Sequence, residues 1–445
     1  MNHPYLPVTP EDLKVMLETI GVASVDELYK SVPQAVQLKT DLKIGESQSE
    51  IEIRRSIGAM AAKNKSVDEL TCFMGGGAYD HFVPSTIKHI ISRSEFYTAY
   101  TPYQAEIAQG TLQGAWEYQS MICLLTGMDV SNVSMYDGPT AAAEAAILAT
   151  GQTKRDKILI SEAVNPETRK VLEAYMFNRG LEYDYVGLND GHTCKDQLAA
   201  KLDKTVAAVV VQNPNFYGIV ENYDEIEKQI HANKSLFVVQ VDPLSLGLVK
   251  APGEYKADIV VGDGQTLGQQ LNYGGPALGF MTITDKLVRK MPGRIIGRST
   301  DVDGHPAYCL TLQAREQHIR RDKAASNICS DQTLNSIAAA VYMATMGPQG
   351  MKEVAYQSAQ KAHYLAKQLE ATGKFKLKFK SPFFKEFVME TDLNINDMNN
   401  KLVAQGILGP LNLNWTGMDK ACLFCVTENR SKEDMDRLVK ALEVM

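Results

Sequence analysis

The stretch Leu236-Phe237-Val238-Val239-Gln240-Val241-Asp242 and the later loop Gly264-Gln265-Thr266-Leu267 decide the fold of this chain. The first is an apolar, β-branched run that predicts a buried strand, and it ends on an acid. A further apolar run, at residues 259–262, fits between the two stretches as one more strand. The sequence therefore predicts two buried strands, with Asp242 at the end of the first and Gln265 in the loop after the second.

Around these two strands, helices and apolar strands alternate from about residue 105 to residue 290. Such alternation indicates crossover connections and a mainly parallel sheet that is covered on both faces, so the fold class is α/β. Strands are predicted over residues 157–161, 183–186, 207–212, 236–241, 259–262 and 277–284, and helices over residues 140–150, 166–178, 194–202 and 223–232.

The ends of these elements carry residues suited to a phosphate-bearing aldehyde cofactor. Asp137-Gly138-Pro139-Thr140 opens an alanine-rich helix, whose free N–H groups and dipole suit a phosphate-sized anion. Asp242 stands where a carboxylate could pair with a pyridinium nitrogen. Each feature alone is equally typical of an ordinary helix cap or a solvated strand end. Their order resembles that of fold-type I pyridoxal phosphate enzymes, and it implies a transferase-like large domain with a mainly parallel, seven-stranded type of sheet.

The lysine that such enzymes need for covalent attachment of the cofactor is replaced by Gln265. Only a primary amine can form an imine with an aldehyde, and a glutamine amide cannot. We therefore expect Thr140, Asp242 and Gln265 to be remnants of a cofactor pocket, in a chain that binds no cofactor covalently. The alternative is a stand-alone enzyme that uses Lys250 or Lys256, but both residues precede the strand at 259–262 and lie wrongly relative to Asp242.

Two further regions flank the alternating segment. Residues 1–70 are predicted to form an N-terminal helical arm, with a helix over residues 9–33 and a short second helix that begins at Ser66. The large domain is assigned to residues 71–327, of which 291–327 should be an extended loop that ends in a helix. Residues 328–445 should form a smaller α/β domain with helices at 331–345, 349–372 and 431–444, and strands near 375–380, 385–389 and 421–427.

Composition excludes several classes of protein. The 445 residues carry a net charge of −7, which argues against a nucleic-acid partner. No apolar run approaches the ~20 residues that span a bilayer, and the N-terminus has no signal or transit pattern, so a cytoplasmic protein is expected. The seven cysteines fit a reducing compartment. Cys422 and Cys425 could form a redox pair or half a zinc site, but their apolar surroundings favour a core strand, and no metal site is predicted.

A second candidate site is the tyrosine-rich segment at residues 95–106, in which three tyrosines fall within seven residues beside Pro102. Rigid side chains that carry hydroxyl groups suit an interface or a ligand contact, and an aromatic core loop is the alternative. Upstream, His81 follows a glycine-rich turn and could face a ligand, although a single histidine is more often structural. The candidate residues of the tyrosine-rich segment are Tyr97, Tyr100, Tyr103 and Gln104.

Long blocks of the chain resemble the glycine cleavage system P-protein, in particular its N-terminal half, which in many bacteria is a separate alpha subunit. Pro292-Gly293-Arg294-Ile295-Ile296-Gly297 is one such block. Asn165 departs mildly from the pattern, since relatives often have a histidine there, and the departure concerns only the role of this side chain. The resemblance covers essentially the whole chain, and it rests also on residues 73–84, 95–104, 136–144, 310–321 and 347–350.

The resemblance implies a subunit of an enzyme complex. In the family the beta subunit carries the cofactor lysine, glycine is decarboxylated on pyridoxal phosphate, and the aminomethyl group passes to the lipoyl arm of the H-protein. A chain without its own lysine can still line its partner's site, because such sites lie at subunit boundaries. We therefore expect a heterotetramer of two alpha and two beta subunits, with Tyr97, Tyr100, Tyr103 and Gln104 contributed to the partner's site. The alternative is a scaffold that takes no part in catalysis.

Overall fold

The computed structural model describes residues 5–273, 275, 277–324 and 326–445. Residues 1–4 of the predicted arm and residues 274, 276 and 325 of the predicted large domain lie outside the described residues. The contacts divide the chain into two units, Met1–Lys65 and Ser66–Met445. The domain limits predicted from the sequence at 70/71 and 327/328 stay predictions.

Among the described residues, both units contain helices. They are α1 (Pro10–Ile20), α2 (Glu50–Ala61), α3 (Ser85–Ile91), α4 (Ser94–Tyr97), α5 (Gln109–Thr126), α6 (Gly138–Thr153), α7 (Pro166–Arg179), α8 (Lys195–Lys201), α9 (Asp224–Ala232), α10 (Gln317–Arg320), α11 (Thr333–Ala371), α12 (Ile395–Val403) and α13 (Lys432–Glu443).

The strands of the described residues all belong to the second unit. They are β1 (Thr71–Cys72), β2 (Val130–Ser131), β3 (Lys157–Ser161), β4 (Glu182–Val186), β5 (Leu188–Asn189), β6 (His192–Thr193), β7 (Val206–Gln212), β8 (Leu236–Val241), β9 (Ile259–Asp263), β10 (Gly279–Ile283), β11 (Ile295–Thr300), β12 (Pro306–Thr311), β13 (Phe375–Leu377), β14 (Glu386–Thr391), β15 (Ile407–Leu408), β16 (Leu411–Asn412) and β17 (Ala421–Cys425).

A seven-stranded sheet with the order β2-β10-β9-β8-β7-β3-β4 is the centre of the second unit. Strands β4, β3, β7, β8 and β9 pair in parallel, whereas β10 is antiparallel to both of its neighbours. The central strands are buried on both faces, because the alanine-rich helix α6 packs on one side and α5 and α11 on the other. The predicted α/β architecture with its mainly parallel sheet is confirmed.

A four-stranded antiparallel sheet with the order β13-β14-β17-β16 follows the long helix α11. Helices α11, α12 and α13 cover it and share one apolar core with it. Cys422 and Cys425 lie in β17, buried in this sheet, as the packing interpretation predicts. The break in α11 is at Gly347, which has a φ of 62°, so the two predicted helices 331–345 and 349–372 adjoin at a kink before Pro348.

Three predictions of local structure are wrong, and some helices are not predicted. The first helix ends at Ile20, because Gly21 adopts a left-handed C-cap with a φ of 82°, and only short 3-10 turns follow within residues 22–33. No helix begins at Ser66; the segment turns and enters β1, which pairs with β15. Residues 295–311 form the hairpin of β11 and β12 rather than an extended loop. Helix α2 lies within the predicted helical arm but is not itself predicted, and α3, α4, α5 and α12 lie where no helix is predicted.

The N-terminal unit, taken by itself, has no buried residue in either of its helices. Its helix starts are nevertheless well formed: Thr9 and Ser49 each take part in a capping box at the start of α1 and α2. Within the described part of the chain, no helix is long and apolar enough to cross a membrane.

Candidate functional site

Asp242 lies directly after β8, and three groups bind its carboxylate. The Lys385 ammonium nitrogen is 2.6 Å from Oδ2, the Thr266 hydroxyl donates to Oδ1 at 3.0 Å, and the backbone N–H of Leu244 donates to Oδ1 at 3.1 Å. Burial alone would raise the pKa of this carboxyl, but the positive charge of Lys385 outweighs burial, so the pKa lies below its usual value. Asp242 is therefore an anion whose cationic partner comes from this same chain.

Lys385, which immediately precedes β14, is 2% exposed. Besides Asp242, its Nζ lies 2.8 Å from Nε2 of His81 and 3.4 Å from the centre of the Tyr79 ring. Burial, and then the positive charge of Lys385, lower the pKa of His81, so its imidazole is neutral and Nε2 accepts from the ammonium group. The Nδ1–H group then donates to Glu428 at 2.6 Å. The lysine therefore has a carboxylate, an imidazole and an aromatic face as partners.

Gln265 lies two residues after the end of β9, at the position predicted for the missing lysine. Its Oε1 accepts from the backbone N–H of Tyr79 at 3.0 Å, and its Nε2 donates to the backbone carbonyls of Tyr79 and Gln269 at 2.9 and 2.8 Å. Both the oxygen and the nitrogen of the side-chain amide thus form hydrogen bonds with peptide groups, as the backbone of one strand does with that of its neighbour. A lysine could not reproduce this pattern because its ammonium group has no acceptor.

The segment of residues 75–82 occupies the space in front of Asp242 and Gln265. The Gly76 N–H donates to Glu386 at 2.6 Å, the Tyr79 hydroxyl donates to the same carboxylate at 2.8 Å, and Asn165 donates to the Gly76 carbonyl at 2.9 Å. Its glycines are required by close approach, since a Cβ on Gly75 would lie 2.1 Å from the Glu386 carboxylate. Asn165, the position that departs from the family pattern, holds this segment.

The N-terminus of α6 is also already engaged. The Asp137 carboxylate accepts from the Thr140 N–H at 2.7 Å, and the Gly138 N–H donates to Asp263 at 3.0 Å. Burial raises the pKa of Asp263 to about 6. A phosphate at this helix end would meet two carboxylates instead of free N–H groups, which removes the basis for anion binding.

The residues present therefore do not fit pyridoxal phosphate. The cavity that remains between Asn165, Asp242, Gln265 and Glu386 has a volume of about 50 Å³, whereas pockets for small ligands measure roughly 300–1,000 Å³. The position of the attacking amine, the partner of Asp242 and the phosphate site are all taken by groups of this chain. Asp242 and Gln265 line this cavity, whereas Thr140 lies in the first turn of α6, where its N–H donates to Asp137. That the three residues are remnants of one cofactor pocket stays a prediction.

Sequence reasoning missed Lys385, Glu386 and Glu428, which supply the charges of this pocket. Glu386 is buried, and burial raises the pKa of its carboxyl to about 7. The signal was present: Lys385-Glu386 interrupts the run Pro382-Phe383-Phe384 … Phe387-Val388, and charges inside an apolar strand need buried partners. His81 is a buried structural member of this network rather than a base that faces a ligand.

The tyrosine-rich segment lies elsewhere and is exposed. Tyr97, Tyr100 and Tyr103 are 59%, 77% and 51% exposed, so the interpretation as an aromatic core loop is wrong. Gln104 is exposed as well, at the start of a 3-10 turn. Among the described residues, no hydrogen bond, ion pair or ring contact links these four side chains to Asp242 or Gln265.

A buried arginine and an exposed serine contact part of the segment. The Tyr100 hydroxyl bonds Ser330 at 2.6 Å, and Arg294, which is 3% exposed, donates to the Thr101 hydroxyl at 3.1 Å. The Arg294 guanidinium also lies 5.6 Å from the centre of the Tyr103 ring, against which His318 packs edge-on. Of the three exposed tyrosines, Tyr103 is therefore the one that packs on the buried arginine.

Comparison with known proteins shows the family of this chain. The family model of the glycine cleavage system P-protein matches residues 3–442. A Bacillus cereus protein named probable glycine dehydrogenase (decarboxylating) subunit 1 is 50% identical over 444 residues, which are 99% of each chain. The crystal structure of a glycine decarboxylase (P-protein) of the glycine cleavage system in inhibitor-bound form is 38% identical, with a TM-score of 0.92 over 99% of this chain and 100% of that one.

A more distant structure shows the fold alone. A C-DES variant with glycine covalently linked to its pyridoxal phosphate cofactor has 15% identity and a TM-score of 0.61, over 85% of this chain and 99% of that one. The chain accordingly has the fold of fold-type I pyridoxal phosphate enzymes, although its own pocket is filled. With a family model that extends over nearly its whole length and a relative at 50% identity, this chain belongs to the glycine cleavage system P-protein family.

Proposed function

We propose that this chain is the alpha subunit of a glycine dehydrogenase (decarboxylating), and that it supports the active site of a beta subunit which carries pyridoxal phosphate. The observation that carries the proposal is the filled pocket: Gln265 and the pair Lys385–Asp242 take the positions that a cofactor would need. A chain of this family that cannot hold the cofactor needs a second chain that does. The reaction of the complex is the decarboxylation of glycine, with passage of the aminomethyl group to the lipoyl arm of the H-protein.

The role proposed for this chain is to place the tyrosine-rich segment in the partner's site. Tyr97, Tyr100, Tyr103 and Gln104 present hydroxyl and amide groups on a surface that Arg294 and Ser330 hold in place. Anchored aromatic side chains bury large area at low entropic cost, which favours a subunit contact. Once covered by the partner, these groups would exclude water and donate hydrogen bonds to the substrate.

The stand-alone alternative, with Lys250 or Lys256 as the reactive amine, has geometry against it. Strands β8 and β9 are parallel. Asp242 follows the end of β8, whereas Lys256 precedes the start of β9, so the two residues lie at opposite edges of the sheet. Lys256 is exposed and lies near Glu227, at 3.8 Å. Lys256 therefore cannot act with Asp242 on one ligand.

Assembly is the first test. Coexpression with the beta subunit should give a complex of two alpha and two beta subunits in size-exclusion chromatography with light scattering, and only the complex should catalyse glycine–bicarbonate carboxyl exchange. If the two chains elute separately at micromolar concentration, the proposal is wrong. If they form a complex but the beta subunit alone has full exchange activity, the scaffold alternative is correct. We expect the complex in the cytoplasm, since all seven cysteines, each among the described residues, are free thiols.

A further inference from the structure

Three separate parts of the chain meet at the ammonium group of Lys385. The lysine precedes β14 of the four-stranded sheet, Asp242 follows β8 of the seven-stranded sheet, and Tyr79 and His81 come from the segment of residues 75–82. We name these four residues, Asp242, Lys385, Tyr79 and His81, the inter-sheet clamp. Because each sheet supplies one charge of a buried ion pair, separation of the sheets at this point would leave each charge without its opposite charge.

The segment of residues 75–82 is bonded to both sheets. On the side of the four-stranded sheet, Thr427 donates to the Asp80 carbonyl at 2.6 Å, and Glu428 accepts from the Phe82 N–H at 2.8 Å. On the side of the seven-stranded sheet, Gln265 bonds the peptide groups of Tyr79, and Asn165 bonds the carbonyl of Gly76. The segment therefore bridges the two sheets independently of the ion pair.

Asp242 would need a cation in any protein of this fold, because a buried carboxylate without a partner is costly. In the fold-type I arrangement a protonated ring nitrogen of the cofactor supplies that cation. We propose that the Lys385 ammonium group is a built-in replacement for that ring, and that the inter-sheet clamp holds the two sheets closed on each other without any ligand. The inference does not depend on the proposed function, since it concerns only contacts within this chain.

A direct consequence concerns the missing lysine. Gln265→Lys alone would restore an amine, but Lys385 would still occupy Asp242 and the segment of residues 75–82 would still fill the pocket. We therefore expect Gln265→Lys, incubated with pyridoxal phosphate and reduced with borohydride, to give no stoichiometric adduct at position 265 in peptide mass spectra. A stoichiometric adduct at that position in the single variant would show that the clamp leaves room for the cofactor and would overturn the proposal.

The decisive experiment is hydrogen–deuterium exchange of the full chain, or of its complex with the beta subunit, measured by peptide. Lys385→Met should accelerate exchange in residues 75–82 at least tenfold more than exchange in strands β7 and β8, because the clamp opens locally before the core unfolds. The matched control Lys376→Met removes an exposed lysine of β13 and should change neither region. The double variant Lys385→Met with Asp242→Leu, which removes both charges, should recover most of the protection.

Two results would overturn the proposal. The first is unchanged exchange in residues 75–82 of Lys385→Met. The second is an increase of equal size in β7 and β8, which would mean general destabilisation instead of release of a clamp. If Lys385→Met does not fold, hydrogen–deuterium exchange is measured in the same peptides of the milder variant Asp242→Asn. This variant keeps the hydrogen bonds from Leu244 and Thr266. Failure of subunit assembly would leave these readouts intact, so the two proposals can fail separately.

Discussion

The filled pocket and the tyrosine-rich segment use similar residue types in opposite ways. Around Asp242, charged and aromatic side chains are buried and bind one another within the chain. At residues 97–104, aromatic side chains with hydroxyl groups are exposed, and the ring of Tyr103 packs on Arg294. A pocket that has satisfied its own polar groups has no affinity left for a ligand. The comparison therefore moves the expected chemical role of this chain from its ancestral pocket to its surface.

The largest effect should come from breaking the ion pair of the filled pocket. Lys385→Met leaves Asp242 as a buried anion without a cation, which typically costs ~3–5 kcal/mol of the free energy of unfolding. Equilibrium urea denaturation measures the loss. In the double variant with Asp242→Leu both charges are gone, so most of the loss should be recovered. Equal losses in the single and the double variant would mean that the pair contributes packing but no electrostatic coupling.

The filled pocket should also make the free energy of unfolding depend on pH, because burial raises the pKa of the Glu386 carboxyl to about 7 from an ordinary value of 4.5. The folded state therefore holds this proton more tightly than the unfolded state. The free energy of unfolding should fall as pH rises from about 4.5 to about 7, with no further loss from this group above that range. Lys385, Asp242 and Tyr79 are the charged or titratable groups that face it.

Glu386→Gln should remove this pH dependence. Relative to the wild type, the variant should gain stability progressively between pH 5 and pH 7, to about 1–3 kcal/mol at pH 8. Urea denaturation at a series of pH values measures the difference between the two proteins. A constant difference over the whole range would mean that Glu386 is ionised in the folded protein even at pH 5.

The tyrosine-rich segment should respond in the opposite way, with a loss of rate and little loss of stability. Loss of one positioned hydrogen bond corresponds to ~1–3 kcal/mol in the activation barrier, or roughly a ten- to hundredfold lower rate. Tyr97→Phe, Tyr100→Phe and Tyr103→Phe are therefore expected to lower glycine decarboxylation by the reconstituted complex. Exposed hydroxyl groups contribute little to folding, so the free energy of unfolding should change by less than ~0.5 kcal/mol.

The matched control is Tyr183→Phe, because Tyr183 is a partly exposed tyrosine on β4, outside both regions. It should keep full activity. If all three variants of the segment also keep full activity while the complex stays intact, the segment is an interface feature and has no part in catalysis.

Much of the large sheet follows from its sequence. The apolar runs predict β3, β7, β8 and β9 almost to the residue, because a strand buried on both faces leaves no room for polar interruptions. The hairpin of β11 and β12 is missed because its strands have mostly exposed ends and only one turn signal near Gly304. Helix α5 is missed because glycines and polar residues interrupt its apolar face, and the long-range packing against α11 stabilises it instead.

The filled pocket likewise contains residues that the sequence predicts and residues that it does not. Asp242 and Gln265 are predictable because both stand at strand ends whose position is fixed by local pattern. Lys385 is not, because its partner lies on a different sheet and no local pattern specifies which buried charges meet. Tyr79 and His81 belong to a segment with irregular backbone, where close approach of Gly75 and Gly76 to Glu386 decides the path. Tertiary contacts alone bring these residues together.

The smallest effect expected is that of pyridoxal phosphate on the wild-type chain. A ligand that binds only the folded state at one hundred times its dissociation constant stabilises it by ~2.7 kcal/mol and raises the melting temperature. Aldehydes also form imines with surface lysines, but those exist equally in the unfolded chain and cannot stabilise the fold. With Asp242 paired and the cavity at about 50 Å³, we expect no shift in melting temperature and no single reducible adduct. The beta subunit, measured in parallel, should show both. A saturable rise in the melting temperature of the alpha chain alone would mean that the clamp opens for the cofactor, and the contrast between a closed pocket and an outward-facing surface would then no longer hold.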